Sequence, residues 1–210
     1  MKRSLTRFLL LSFCALLGCT SAYKSLKSIP VDTTCANKIV STRIATSWYD
    51  ASINVTGKHL SGLVLIKNMP DSSQRVVFSS EAGVTFFDFG FNRSGEFKVY
   101  SILKKLDRKP VINTLRKDFE LILGIPFRSN NLTAWSTNEG IYFGVQQKKE
   151  TAYFIVDKDC ISLRRLELGS KRKKKVSVRI AGASYPLPDT LDIKHYTFPL
   201  HIQLTHFQKE

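Results

Sequence analysis

The sequence predicts a mainly β fold, an antiparallel curved sheet of about 11 strands with one central amphipathic helix. Three observations predict it. Short alternating runs rich in β-branched and aromatic residues recur along the chain, separated by Gly, Pro, Asn and Asp turn residues. A sustained helical period occurs in one central segment. The alternating runs also put bulky apolar side chains on one side of each strand. Parallel βαβ units would need a helix between successive strands, so a meander is expected instead.

In chain order, the first strand is expected over 40–48 (VSTRIATSW), a short helix being the competing reading. Gly57-Lys58 then breaks the chain before 59–67 (HLSGLVLIK), which aligns Leu60, Val64 and Ile66 on one face. Pro70-Asp71-Ser72 makes a turn, and strand 74–79 aims Val76 and Phe78 to one side. After Glu81-Ala82-Gly83, strand 84–91 carries Phe87, Phe89 and Phe91. After 92–95, strand 96–102 carries Phe97 and Val99. The helix begins with Asp107 as a cap and Pro110 in the first turn. Val111, Ile112, Leu115, Phe119 and Ile122 follow at helical spacing, and Gly124 and Pro126 end it. Strands resume over 140–147, 151–157, 161–168, 175–181, 191–195 and 199–207. Val176, Val178 and Ile180 share one face of the fourth of these, and Leu200, Ile202 and Leu204 one face of the last.

A nearly closed sheet would aim these side chains inward. The candidate lining of an apolar cavity is Leu60, Val64, Ile66, Val76, Phe78, Phe87, Phe89, Phe97, Val99, Val111, Leu115, Phe119, Val178, Ile202 and Leu204. Such an interior is dry and suits acyl chains. The alternative is that the same side chains fill a solid core.

The N-terminus indicates a compartment. Lys2, Arg3 and Arg7 precede an apolar run over 8–17. At ~1.5 Å per residue that run is far shorter than a bilayer core of ~30 Å, so it reads as a removed signal, not an anchor. Leu16-Leu17-Gly18-Cys19 resembles the lipobox of bacterial lipoproteins. Residues 1–18 are therefore expected to be a lipoprotein signal peptide, with Cys19 as the site of lipid attachment and membrane anchoring through its acyl chains. Thr20 in place of Asp after Cys19 implies the outer membrane, on its periplasmic face. Residues 19–34 are expected to form a flexible tether and 35–210 a single β-rich domain. Cys14 leaves with the signal, so Cys35 and Cys160 remain. They are expected to pair in an oxidising compartment, the alternative being two separately buried thiols.

The chain has 32 Lys+Arg against 17 Asp+Glu, a formal net charge of +15. The run 171–175 (KRKKK) is expected to be a solvated hairpin tip. A sharper reading gives it anionic lipid headgroups or an acidic envelope protein to bind. Nucleic acid is not an expected partner, because this compartment holds no routine target. His59, His195, His201 and His206 match no zinc-binding spacing and are expected to be surface imidazoles. Asp88, among Phe86, Phe87 and Phe89, is expected to face solvent. The sequence contains no Gly-x-Ser-x-Gly, no His-Glu-x-x-His and no Gly-rich phosphate loop, so neither catalysis nor a cofactor is expected.

The segments 62–67 (GLVLIK), 75–78 (RVVF), 83–88 (GVTFFD), 113–123 (NTLRKDFELIL) and 199–204 (PLHIQL) carry a further observation. Their order and texture over 40–207 resemble the lipoprotein-localisation (LolA/LolB-like) fold family. The resemblance implies an unclosed antiparallel barrel with a helical lid, whose apolar cavity takes the acyl chains of lipoproteins in transit. The lipobox makes the outer-membrane receptor of that family the nearer relative. The receptor's apolar protruding loop has no counterpart, because loops 68–73 and 79–83 offer only Met69 and Ala82. No transfer residue is carried over. The expected function is a membrane-anchored lipoprotein that binds an acyl chain or a lipidated protein. The alternative is an accessory envelope lipoprotein that binds a protein partner through its basic surface.

Overall fold

The fold is built by hairpins that follow one another along the chain. The computed structural model describes residues 22–40, 44–128, 131–170, 172–182 and 186–207. The expected signal peptide, 1–18, and Cys19 lie outside the described residues. The chain opens with β1 (Lys27–Ile29) and α1 (Thr33–Val40). A meander follows: β2 (Ser47–Val55), β3 (Lys58–Asn68), β4 (Gln74–Ser79), β5 (Thr85–Phe91) and β6 (Phe97–Ile102). Next come α2 (Lys109–Ile122) and a 3-10 turn (Ile125–Arg128). A second meander contains β7 (Thr133–Ser136), β8 (Ile141–Gln147), β9 (Glu150–Val156), β10 (Leu163–Gly169), β11 (Lys174–Ala181), β12 (Thr190–His195) and β13 (Leu200–His206).

All strands join one 13-stranded antiparallel sheet in the order β1-β7-β8-β9-β10-β11-β12-β13-β2-β3-β4-β5-β6. The sheet is not closed, and β1 and β6 are its edges. The mainly β class and the central helix are as the sequence predicts. No helix among the described residues is long and apolar enough to cross a membrane.

Several expectations need correction. Val40 ends α1 instead of starting a strand, and the strand begins at Ser47. Its inner face is Ser47, Tyr49, Ala51 and Ile53. Two of these are small, which hides the alternation from a hydropathy reading. Asp107 does not cap α2. Its amide closes a turn on the Leu103 carbonyl (3.1 Å), and Arg108 takes the cap position in extended conformation. Pro110 does sit in the first helical turn, and Gly124 (φ +68°) takes the left-handed conformation that ends the helix.

The expected tether is ordered from Ala22 onward. Tyr23 and Leu26 pack against a patch of Tyr142, Tyr153 and Ile155 on the outer face, beside Trp135. Lys27–Ile29 pair with β7, and Asp32 caps α1 through its carboxylate to the amides of Thr34 (2.9 Å) and Cys35 (3.1 Å). The apolar positions 23, 26 and 29 recur every third residue, a spacing that matches neither the strand period of two nor a helical stripe at i, i+3, i+4 and i+7, so the local pattern does not announce them.

Cys35 and Cys160 form the expected disulfide, with Cα atoms 5.8 Å apart. It ties the buried face of α1 to the turn between β9 and β10.

Candidate functional site

The inner face of the sheet is assembled row by row. Leu166, Val178, Ile193, Ile202, Ile53 and Leu60 are direct partners from one strand to the next across β10, β11, β12, β13, β2 and β3. Val64 opposes Phe78 and Ile66 opposes Val76 across β3–β4. Phe78 opposes Phe87 and Val76 opposes Phe89 across β4–β5. Leu204 is buried opposite Ala51. Every residue named from the sequence as a candidate lining belongs to this one cluster. Leu60, Phe97, Val99 and Val111 are half-buried at its margin and the others are buried. What the sequence left open is how full this space is, and the rings show close packing. Phe87 stacks on Phe89 with centroids 4.4 Å apart, Phe119 of α2 lies 5.7 Å from Phe87, and Phe97 lies 5.1 Å from Phe89.

The helix is seated by its apolar stripe and fastened at its edges by polar bonds. Arg128, just past α2, donates to Gln74 Oε1 (2.6 Å) and to the Arg93 carbonyl (3.1 Å), which joins the helix end to β4 and the β5–β6 turn. On the flank facing the β8–β9 hairpin, Lys117 Nζ donates to Glu150 Oε2 (2.7 Å) and Lys175 Nζ to Glu150 Oε1 (2.6 Å). Burial alone would raise the Glu150 carboxyl pKa. The hydrogen bonds from Lys117 and Lys175 overcome it and hold the pKa below the usual carboxylate range. Between that hairpin and α2 lies an open cleft of about 650 Å³. Leu121, Pro126 and Leu168 contribute its apolar surface, and Arg116, Lys117, Lys148, Lys149 and Lys175 make it basic.

One histidine departs from the sequence expectation. His195 is buried, not a surface imidazole. Its Nε2 is 2.9 Å from Asp118 Oδ2 on α2, and both side chains are almost wholly enclosed (3% and 1% exposed). The row Leu168–Val176–His195 puts the ring on the inner face, where α2 meets it. A signal existed. Asp118 falls on the apolar stripe of Val111, Leu115, Phe119 and Ile122, and His195 alternates with Leu191 and Ile193. A polar residue on an apolar face at both places marks a pair.

Asp118 Oδ1 has no hydrogen-bond partner. Burial raises the carboxyl pKa, and the hydrogen bond and charge of His195 offset this only in part. A carboxyl shifted upward by folding stabilises the native state below its unfolded pKa, and that contribution is lost as pH rises through the folded value. Asp118→Asn keeps the shape and cannot ionise. It is expected to unfold at a higher urea midpoint than the unmodified protein at pH 8, with little difference at pH 4. A variant that is weaker at pH 8 would mean that the ionic attraction to His195 outweighs desolvation.

Ser47 and Gln74 are also buried on this face, and His206 follows Leu204 at its edge; His59, His201, Asp88 and Glu167 lie outside it. His59 pairs with Asn54 (3.0 Å) and His201 with Asp192, both exposed, and His206 is half-buried with its ring 5.6 Å from Tyr49. Asp88 is on the outer face as expected, but it pairs with Arg75, whose guanidinium covers the Tyr100 ring. Glu167 is buried under Tyr23, which donates to its Oε2 (3.2 Å). Lys174 Nζ lies 2.6 Å from its Oε1, and Arg165 Nε is equally near without hydrogen-bond geometry. Among the described residues, no group of three or more His, Cys, Asp or Glu is placed to hold a metal ion.

No protein-family profile and no curated protein matches the chain. Among solved structures it is similar to a DUF1329 family protein from Desulfovibrio piger, at 11% identity and a TM-score of 0.44, over 83% of this chain and 89% of that one.

Proposed function

We propose that this protein holds an acyl chain, or the acylated end of a lipidated protein, against the inner face of its sheet beneath α2. It would do so as a lipid-anchored protein on the periplasmic face of the outer membrane. The observation that carries this reading is the continuity of one apolar face from β10 round to β6 against a single helix. That helix is retained at its margins by Lys117–Glu150 and Arg128–Gln74, and on its buried face by Asp118–His195. Side-chain bonds of this kind can open without unravelling a strand. A chain entering beneath the helix would gain roughly 0.8 kcal/mol per buried CH₂, so transfer to a tighter pocket needs no energy source.

Native mass spectrometry of the full acylated chain extracted from envelopes tests the reading. A population with additional acyl mass is expected, and a photoreactive fatty acid should label the inner face of α2. Consistently unloaded protein with no labelling would overturn it.

The close ring packing under α2 favours a second reading, an accessory lipoprotein with a filled interior. Its partner would be an acidic envelope protein bound through the basic surface. Salt-sensitive capture of such a protein, with no lipid bound, would support it.

A further inference from the structure

We propose that the rim bearing the β10–β11 and β12–β13 turns is a docking surface for anionic membrane lipid. This deepens the proposed function and rests on its assignment of Cys19 as the acylated residue.

The first support is where the chain starts. The Ala22 amide donates to the Arg172 carbonyl in the β10–β11 turn (3.1 Å), and Tyr23 is held on Glu167 of β10. Only Thr20 and Ser21 separate Ala22 from Cys19. Three extended residues span at most about 11 Å. Acyl chains on Cys19 therefore enter the bilayer beside this turn, and the ordered segment from Ala22 removes the slack a tether would give.

The second support is charge. Arg172 and Lys173 are exposed at the turn, and Lys148 and Lys149 are exposed at the β8–β9 turn on the same rim. Lys174 and Lys175 behind them are held by Glu167 and Glu150.

The third is the adjacent β12–β13 turn. Tyr196 and Phe198 there are 51% and 38% exposed. The Tyr196 amide donates to the Lys175 carbonyl (2.9 Å), and the Lys194 and Lys174 ammonium groups lie 5.6 and 5.8 Å from its ring. Aromatic rings beside lysines suit the headgroup layer. The opposite rim also exposes apolar residues, Trp48, Ile161 and Phe207. Its β9–β10 and β11–β12 turns carry Asp157, Asp159 and Asp189 against one exposed lysine, Lys158, with Asp157 paired to Arg164, so these turns offer no net positive charge to an anionic surface.

The basic cleft beside α2 includes Lys148, Lys149 and Lys175, so docking in this way brings its hairpin end to the bilayer. An acyl chain could then pass between membrane and inner face without crossing open water.

The test compares flotation with phosphatidylglycerol–phosphatidylcholine vesicles and with pure phosphatidylcholine vesicles. The full acylated chain and its Cys19→Ser form are both used. Selective, salt-sensitive partition onto anionic vesicles is expected even for Cys19→Ser. Arg172→Glu with Lys173→Glu should reduce it by at least about thirtyfold, since each cation at such a surface is worth about fivefold. Thr197→Trp supplies a reporter whose fluorescence brominated phosphatidylglycerol should quench, while Trp48 on the other rim should not respond. Circular dichroism and an unchanged urea midpoint establish that the variants are folded. Equal binding to neutral vesicles, indifference to charge reversal, or quenching at Trp48 would overturn the proposal. So would binding to polyglutamate without vesicle selectivity, which would assign the rim to an acidic protein. Unloaded protein in native mass spectrometry with lipid selectivity intact would sink the acyl-cargo reading and leave the docking surface standing.

Discussion

Replacing Cys35 and Cys160 with Ser is expected to lower the unfolding free energy by about 4–5 kcal/mol at most, the largest single loss this chain should show. The bond closes a loop of sequence separation 125. That loop contains β2 through β9 and α2, so the unfolded chain gains a large freedom when the bond is removed. The native state also loses a local fastening. α1 is short, and among its described side chains it buries Cys35 and Ala36. Without the bond it relies on its Asp32 cap and on the β1–β7 pairing. Urea unfolding of the double variant, compared with the reduced and oxidised parent, measures the effect. Hydrogen exchange over 33–40 should rise first. A loss below about 1 kcal/mol would mean that the reduced chain keeps its N-terminal contacts when unfolded.

Phe119→Ala should cost about 3–5 kcal/mol, because it removes a large ring from a place that cannot collapse around the gap. Phe119 is 2% exposed and meets Phe87 from the helix side. The strands behind Phe87 are fixed by pairing on both edges, so the neighbouring rings have little freedom to fill the void. The same substitution separates the two functional readings. If α2 covers an acyl site, enlarging the space beneath it should increase binding of a fluorescent long-chain fatty acid even as the urea midpoint falls. Phe119→Leu, with a smaller gap, should show a weaker form of both effects. A fall in stability with no gain in probe binding would favour the filled interior.

Local sequence pattern carried the fold a long way. Strands 74–79 and 141–147 lie within a residue of their expected bounds, because strict alternation and turn residues act over a few positions and need no partner. The same holds for the apolar stripe of α2. Where the signal was tertiary, the local pattern misled. β1 and β7 are three and four residues long and exist only by pairing with each other and with β8. Ser47 and Ala51 are inner-face positions because they alternate with Tyr49 and Ile53, and their small side chains do not announce it.

The candidate site divides in the same way. Which residues turn inward was legible, since side-chain direction in a strand follows from position alone. The Asp118–His195 pair required α2 to cross β12 at one height, a relation between residues 77 apart. Likewise the run 171–175 was visible as charge, but the place of its described residues 172–175 beside Ala22 depends on the contact between Ala22 and Arg172. Composition and period set class, compartment signal and inner face, because these depend on neighbours along the chain. Long-range packing set the buried pair, the ring packing under α2 and the meeting of Ala22, cations and aromatics on one rim, because those arise between segments that meet only when the sheet is formed.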